Sequence, residues 1–171
     1  DYPLMLKDLL DSGIAETHEA RDGLNLILAP FTESQSAGWR CAEALYDAAS
    51  AFPALPSKFG FAIDCGTTRY LQHASCDIRV ELDETGQLLI RLDGCEKGYV
   101  TSEETFQSDI LRALQWFVSS QNKKHTYNRM HHLIADSDVP DIFTTTTPCK
   151  NTKSLYPGHE ENWHIIALPF G

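Results

Sequence analysis

Leu55-Pro56-Ser57-Lys58-Phe59-Gly60-Phe61-Ala62-Ile63-Asp64-Cys65-Gly66 decides how the rest of the chain is read. A proline leads into it and a glycine turn closes it, which predicts a strand over 58–64. Side chains alternate across a strand. Phe59, Phe61 and Ile63 therefore share one apolar face, and Lys58, Gly60, Ala62 and Asp64 share the other. The second face is nearly bare, with a cation at one end, an acid at the other, and two residues between that have almost no side chain. Two occupants suit such a face. A helix packs closely over Gly and Ala, and a flat ligand fits there too, with Lys58 placed for its negative groups.

The flanking sequence supplies the partners of this strand. Leu24-Asn25-Leu26-Ile27-Leu28-Ala29 is a nearly continuous apolar run closed by Pro30, which predicts a strand buried on both faces. A helix is expected over 35–51, capped from within Thr32 to Ser36, with Trp39, Ala42, Tyr46, Ala49 and Phe52 along its packed side. Residues 24–64 thus read as a strand–helix–strand unit. Downstream, Ile78, Val80 and Leu82 alternate with polar residues, Glu84-Thr85-Gly86 turns the chain, and Leu88, Ile90 and Leu92 return it as a hairpin. A short strand is expected over 98–101. Ser102 with Glu103 and Glu104 opens a helix over 103–121, buried through Phe106, Ile110, Leu114 and Phe117 or Val118.

The expected class is α/β (α+β). The strands at 24–30, 58–64, 77–83 and 87–93 form one mixed sheet, with helices 35–51 and 103–121 packed on it. Around this body the sequence predicts an N-terminal helix and connector over 1–22, a shorter helix over 128–135, a loop or linker over 137–162, and a terminal strand in 163–171. That last strand needs a neighbour to pair with.

Composition limits the function. The chain has 171 residues, enough for one domain with a substantial core, and a formal net charge of −10. Such a surface argues against broad nucleic-acid or anionic-membrane binding. No apolar run approaches the roughly 18 residues of a bilayer span. No signal peptide is read at the start. The five cysteines, Cys41, Cys65, Cys76, Cys95 and Cys149, are odd in number and widely spaced. They predict buried free thiols in a reducing, cytoplasmic setting.

The segment Leu55-Pro56-x-Lys58-Phe59-Gly60-Phe61-Ala62-Ile63-Asp64 resembles the L-P-x-K-F segment of the nitrite/sulfite reductase superfamily, in the form found in precorrin-3B synthases of the aerobic cobalamin pathway. Leu24 to Phe31 resembles the family strand one helix upstream, the hairpin and following helix keep the family order, and Ala167-Leu168-Pro169-Phe170-Gly171 resembles the start of a second half. The likeness covers 20–125 well and the last ten residues weakly. It implies a half-module over 23–136 of a tetrapyrrole-handling oxidoreductase, completed by a second half-module or partner subunit around a siroheme-like tetrapyrrole and a 4Fe-4S cluster. It carries the carboxylate-contacting family lysine onto Lys58, so Lys58, Gly60 and Ala62 become the expected tetrapyrrole face. The sequence departs from the family at Gly60, where a second lysine is common, and at Leu24, where an arginine is common. The cluster's cysteine motifs are absent, so this chain alone is expected to hold no cofactor. A non-catalytic tetrapyrrole-binding module and an unrelated α/β domain are the competing readings.

Asp64 is a candidate acid/base, with the capping of a strand-end turn as its structural role. His125, His131, His132, His159 and His164 with Cys149 are weighed as a metal site and read instead as solvated or locally bonded, since a helix would splay the adjacent pair apart. Lys123-Lys124-His125 reads as the basic complement of a helix end. No phosphate-cradling loop, nucleophile elbow or dinucleotide fingerprint appears.

Overall fold

Residues 24–121, 126–153, 158–160 and 163–165 are described by a computed structural model. The expected helix near the N-terminus and the basic run 123–125 lie outside these residues. The strand of the L-P-x-K-F segment forms as β2, Gly60–Asp64, and every residue of it is buried. It is two residues shorter than the sequence suggests. Phe59 N–H donates to Pro56 O at 2.8 Å, so Ser57 and Lys58 lie in a turn rather than in the strand.

β1, Asn25–Leu28, runs parallel to β2, with Leu26 opposite Phe61 and Leu28 opposite Ile63. β3, Ile78–Leu82, lies parallel on the other side of β2. β4, Leu88–Leu92, returns antiparallel to β3, and β5, Tyr99–Val100, pairs antiparallel with β4. The sheet order is β1-β2-β3-β4-β5, a single mixed sheet as expected. The turn between β3 and β4 is held by Asp83 Oδ1, which accepts from Thr85 N–H, Thr85 Oγ1–H and Gln87 N–H.

β1 is a correction. Its residues alternate between exposed and half-buried, with Ile27 42% exposed, because it is the edge of the sheet. A continuous apolar run fits an edge strand as well as a central one, since only the neighbours decide.

The packed face of the sheet carries Phe61, Ile63, Ile78, Val80, Ile90 and Leu92. Two helices cover it. α1, Ala37–Ala48, is capped by Ser36, whose Oγ accepts from Trp39 N–H. Its buried side is Gly38, Cys41, Ala42 and Leu45, one residue round from the expected stripe, and Trp39 is exposed instead. Gly38 explains the rotation. A Cβ there would stand 3.5 Å from Ile63 Cγ2 and 3.4 Å from Cys65 Cβ, so the bare glycine lets α1 close on the end of β2.

α2, Phe106–Ser119, buries Phe106, Ile110, Ala113, Leu114 and Phe117, and leaves Val118 exposed. The Phe117 ring sits 4.9 Å from that of Phe59. Burying a side chain of this size stabilises the fold by about 1.5–3 kcal/mol. The helix begins three residues later than the sequence suggests. Ser102 Oγ does accept Thr105 N–H, but it caps the turn leading into the helix, and Glu103 pairs with Arg40 of α1 rather than with the helix dipole.

α3, Met130–Asp136, follows. The segment after it is irregular but not detached. Phe143 enters the core beside Tyr99 and Trp116, and isolated bridges join Thr146 to Gly98, Pro148 to Asp83 and Thr152 to Arg69. The part of the expected linker up to residue 153 is thus fastened to the body by backbone pairing, which leaves no periodic signature in sequence. The terminal strand, β7 at Trp163–Ile165, pairs with β6 at Gly158–Glu160 in a separate two-stranded sheet. No described helix is long and apolar enough to cross a membrane.

Candidate functional site

Among the described residues, the second face of β2 is buried and is not an open ledge. Across the sheet it continues through Arg79 and Glu81 of β3 and Arg91 of β4. Arg79 lies beside Ala62 and donates to Leu71 O at 2.7 Å and Ala74 O at 2.6 Å, which draws the loop after β2 over the strand. Ala62 is 1% exposed. Glu81, buried between two arginines, accepts from Arg69 Nη1 at 3.0 Å and from Arg91 Nε and Nη2 at 2.8 Å each. Burial pushes its carboxyl up, but these guanidinium contacts outweigh burial and hold it below the usual value.

The expected site residues divide between the two ends of β2. At the start of the strand, Lys58 and Gly60 line a shallow cleft of about 560 Å³, together with Asn25, Ile27, Ser75 and Arg129. Each wall has a cause. Asn25 Nδ2 donates to Ser57 O and Phe59 O at 2.9 and 3.2 Å, clamping the carbonyls on either side of Lys58. Asp77 is fully buried. Its Oδ2 accepts Gly60 N–H, and its Oδ1 accepts Met130 N–H at 2.7 Å and Arg129 Nε–H at 3.0 Å. Arg129 also donates to Ser75 Oγ at 3.1 Å. Asp77 therefore holds Arg129 in the lining of the same cleft as Lys58, whose side chain is exposed. The cleft lining contains these two cations and no acid. Lys58 was singled out from the sequence and Arg129 was not. The only available signal was a polar arginine just before an apolar helix, and its placement depends on an acid 52 residues away.

At the far end of β2, Asp64 lines a different cavity. Its Oδ2 accepts Tyr70 N–H and Leu71 N–H at 2.7 Å each, the turn-capping role weighed above. Burial pushes its carboxyl up, only partly offset by those two backbone donors. Lys58 and Asp64 therefore do not form one site.

The thiols do not suit an iron–sulfur cluster, whose ligands are clustered thiolates. Cys41, Cys76 and Cys95 are buried. Burial pushes Cys76 up to about 12 and raises Cys95, and a hydrogen bond with Cys41 together with burial raises Cys65 well above the ordinary thiol value. No group of three or more metal-ligating side chains converges among the described residues. The His131 and His132 rings lie 4.1 Å apart rather than splayed, and His131 Nδ1 stands 3.2 Å from Asp93 Oδ2. The side chains of His125, His159 and His164 fall outside the described residues. Compared with protein-family models, curated proteins and solved structures, the chain matches none.

Proposed function

We propose that this chain is a tetrapyrrole-binding half-module that takes the carboxylate edge of its ligand at the Lys58 cleft. The observation that carries the reading is the pairing of an exposed Lys58 with Arg129 in a cleft whose lining contains no acid, in a chain of net charge −10. Lys58, with the guanidinium edge of Arg129 not taken by Asp77 and Ser75, suits a ligand that carries carboxylates. The resemblance of the L-P-x-K-F segment supplies the ligand class, and Arg129 brings a second cation to the cleft that Gly60 lines. Ala62 lies under Arg79 and takes no part. A bound siroheme-like tetrapyrrole would supply the redox chemistry in the complete protein. This chain's contribution is to bind and orient its acidic edge. The oxidoreductase reading adds a second half-module or partner subunit that brings the cluster.

The test is absorbance titration of siroheme into wild type and Lys58→Ala. An ion-pair hydrogen bond is worth about 1.5–3 kcal/mol, so the variant should bind about ten- to hundred-fold more weakly. Lys58 is exposed, so the fold is not at stake. Equal affinity of the two proteins, or no binding by wild type, rejects the proposal.

A further inference from the structure

A groove runs along the β1 edge of the sheet, on the side of the helices. It measures about 310 Å³ and is lined by Leu26 and Leu28 of β1 and by Trp39, Ala42, Glu43 and Tyr46 of α1. Leu26 and Leu28 stand opposite Phe61 and Ile63, so all four face the helix layer. Phe61 and Ile63 are fully closed off, whereas Leu26 and Leu28 are only half-buried. The seat of α1 is the cause. Gly38 sets its first turn against the end of β2, and the helix leaves an open angle over β1. Trp39, 39% exposed, stands at that angle. Among the described residues, Glu43 is the one charged group in the lining.

Apolar side chains placed in such a groove gain by leaving water. A second copy of the chain is a poor occupant, since each copy carries a net charge of −10 and brings its own Glu43 to the contact. Residues 1–23 are better placed, because they run straight into β1. Within them Leu6, Leu9, Leu10 and Ile14 recur at helical spacing and make one apolar stripe. Lys7, the cation of the stretch 4–14, flanks that stripe and is opposite in sign to Glu43. As a helix, 4–14 would be about 16 Å long, against about 18 Å for α1. The connector 15–23 reaches up to roughly 30 Å, enough to return the stretch alongside α1. A tether of this length holds its load at a roughly millimolar effective concentration, which favours it over a foreign segment.

We infer that the groove between β1 and α1 is the docking site of the chain's own residues 4–14, with the Leu6, Leu9, Leu10 and Ile14 stripe laid against Leu26, Leu28 and Trp39. The docked stretch gives the β1 edge its apolar cover. This assignment stands or falls independently of the ligand of the Lys58 cleft.

The experiment is a nuclear Overhauser measurement on the full ¹³C-labelled chain. Methyl groups of the 4–14 stripe should show contacts to the Trp39 indole ring and to the methyls of Leu26 and Leu28. An equal mixture of labelled and unlabelled chain, filtered for contacts between copies, should show none of them. A double-mutant cycle of Leu10→Ala and Trp39→Ala, read by urea unfolding, should depart from additivity by about two-fold or more in the unfolding equilibrium constant. Absence of the contacts in wild type, their appearance between copies, or strictly additive effects overturns the assignment. The wild-type contacts decide without the variants should a variant fail to fold.

Discussion

Glu81→Gln tests how the polar face of the sheet is held. The Glu81 side chain is 2% exposed, and its partners Arg69 and Arg91 are nearly as buried. It accepts three charge-assisted hydrogen bonds, at 3.0, 2.8 and 2.8 Å. A glutamine keeps the shape but loses the charge, and its amide presents a donor to guanidiniums that are themselves donors only. Two buried cations are then left facing each other. Removing one partner of a buried ion pair costs about 3–5 kcal/mol, because the remaining charge is uncompensated. Domain stabilities are about 5–15 kcal/mol, so the loss is a large fraction of the total. At roughly 2–4 °C per kcal/mol for a chain of this size, the melting midpoint should fall by about 6–20 °C. Urea unfolding of wild type and Glu81→Gln at pH 7, read by far-UV circular dichroism, measures the free-energy loss, and a thermal scan measures the midpoint. Arg40→Ala, which breaks the exposed Arg40–Glu103 pair, serves as the comparison and should shift the transition far less. A loss below about 1 kcal/mol for Glu81→Gln would refute the reasoning, since the cluster would then behave like a surface pair.

The same face predicts opposite pH responses from two acids in adjacent strands. Glu81, held below its ordinary value of 4.5, contributes stability that is present above that value and lost as pH falls through its lowered native pKa, so the deficit of Glu81→Gln should shrink on acidification. Asp64, raised above 3.8 by burial, contributes stability that is present below 3.8 and lost as pH rises toward its native pKa, so Asp64→Asn should gain on wild type over that rise in paired urea titrations. Gly94 sits at φ +98° with its would-be Cβ 3.2 Å from His131 Cα, so Gly94→Ala should cost about 1–3 kcal/mol in the same assay, and a neutral result would reject that account.

The hairpin was legible because its signal is local. Strict alternation at Ile78 to Leu82 and Leu88 to Leu92 fixes both period and register, and Asp83 and Gly86 fix the turn. That the strands share one mixed sheet followed from the strand–helix–strand unit and the hairpin, while their order was not read from the sequence. What sequence could not supply was context. Whether Leu24–Ala29 lies at an edge depends on what pairs beyond it. Which side of α1 packs depends on Gly38 meeting Ile63, a contact between residues of different elements. Lys58 was legible as a cation beside a bare strand, although the alternation argument placed it in the strand when it lies in the turn before it. Arg129 was illegible because Asp77 places it. The covering of Ala62 was hidden too, since an arginine in a hairpin ordinarily faces solvent and Arg79 is instead bound to loop carbonyls.

Asp77 has a kinetic consequence. One carboxylate takes the amides of Gly60 and Met130, which lie 70 positions apart in the chain and in separate elements. A swing of this side chain releases both protons to solvent together, so the start of β2 and the first turn of α3 share one opening event. Their exchange rates should rise and fall in concert with denaturant, as members of one cooperative unit. Because Arg129 leaves with the same event, the two sides of the Lys58 cleft are held in place, and lost, as one.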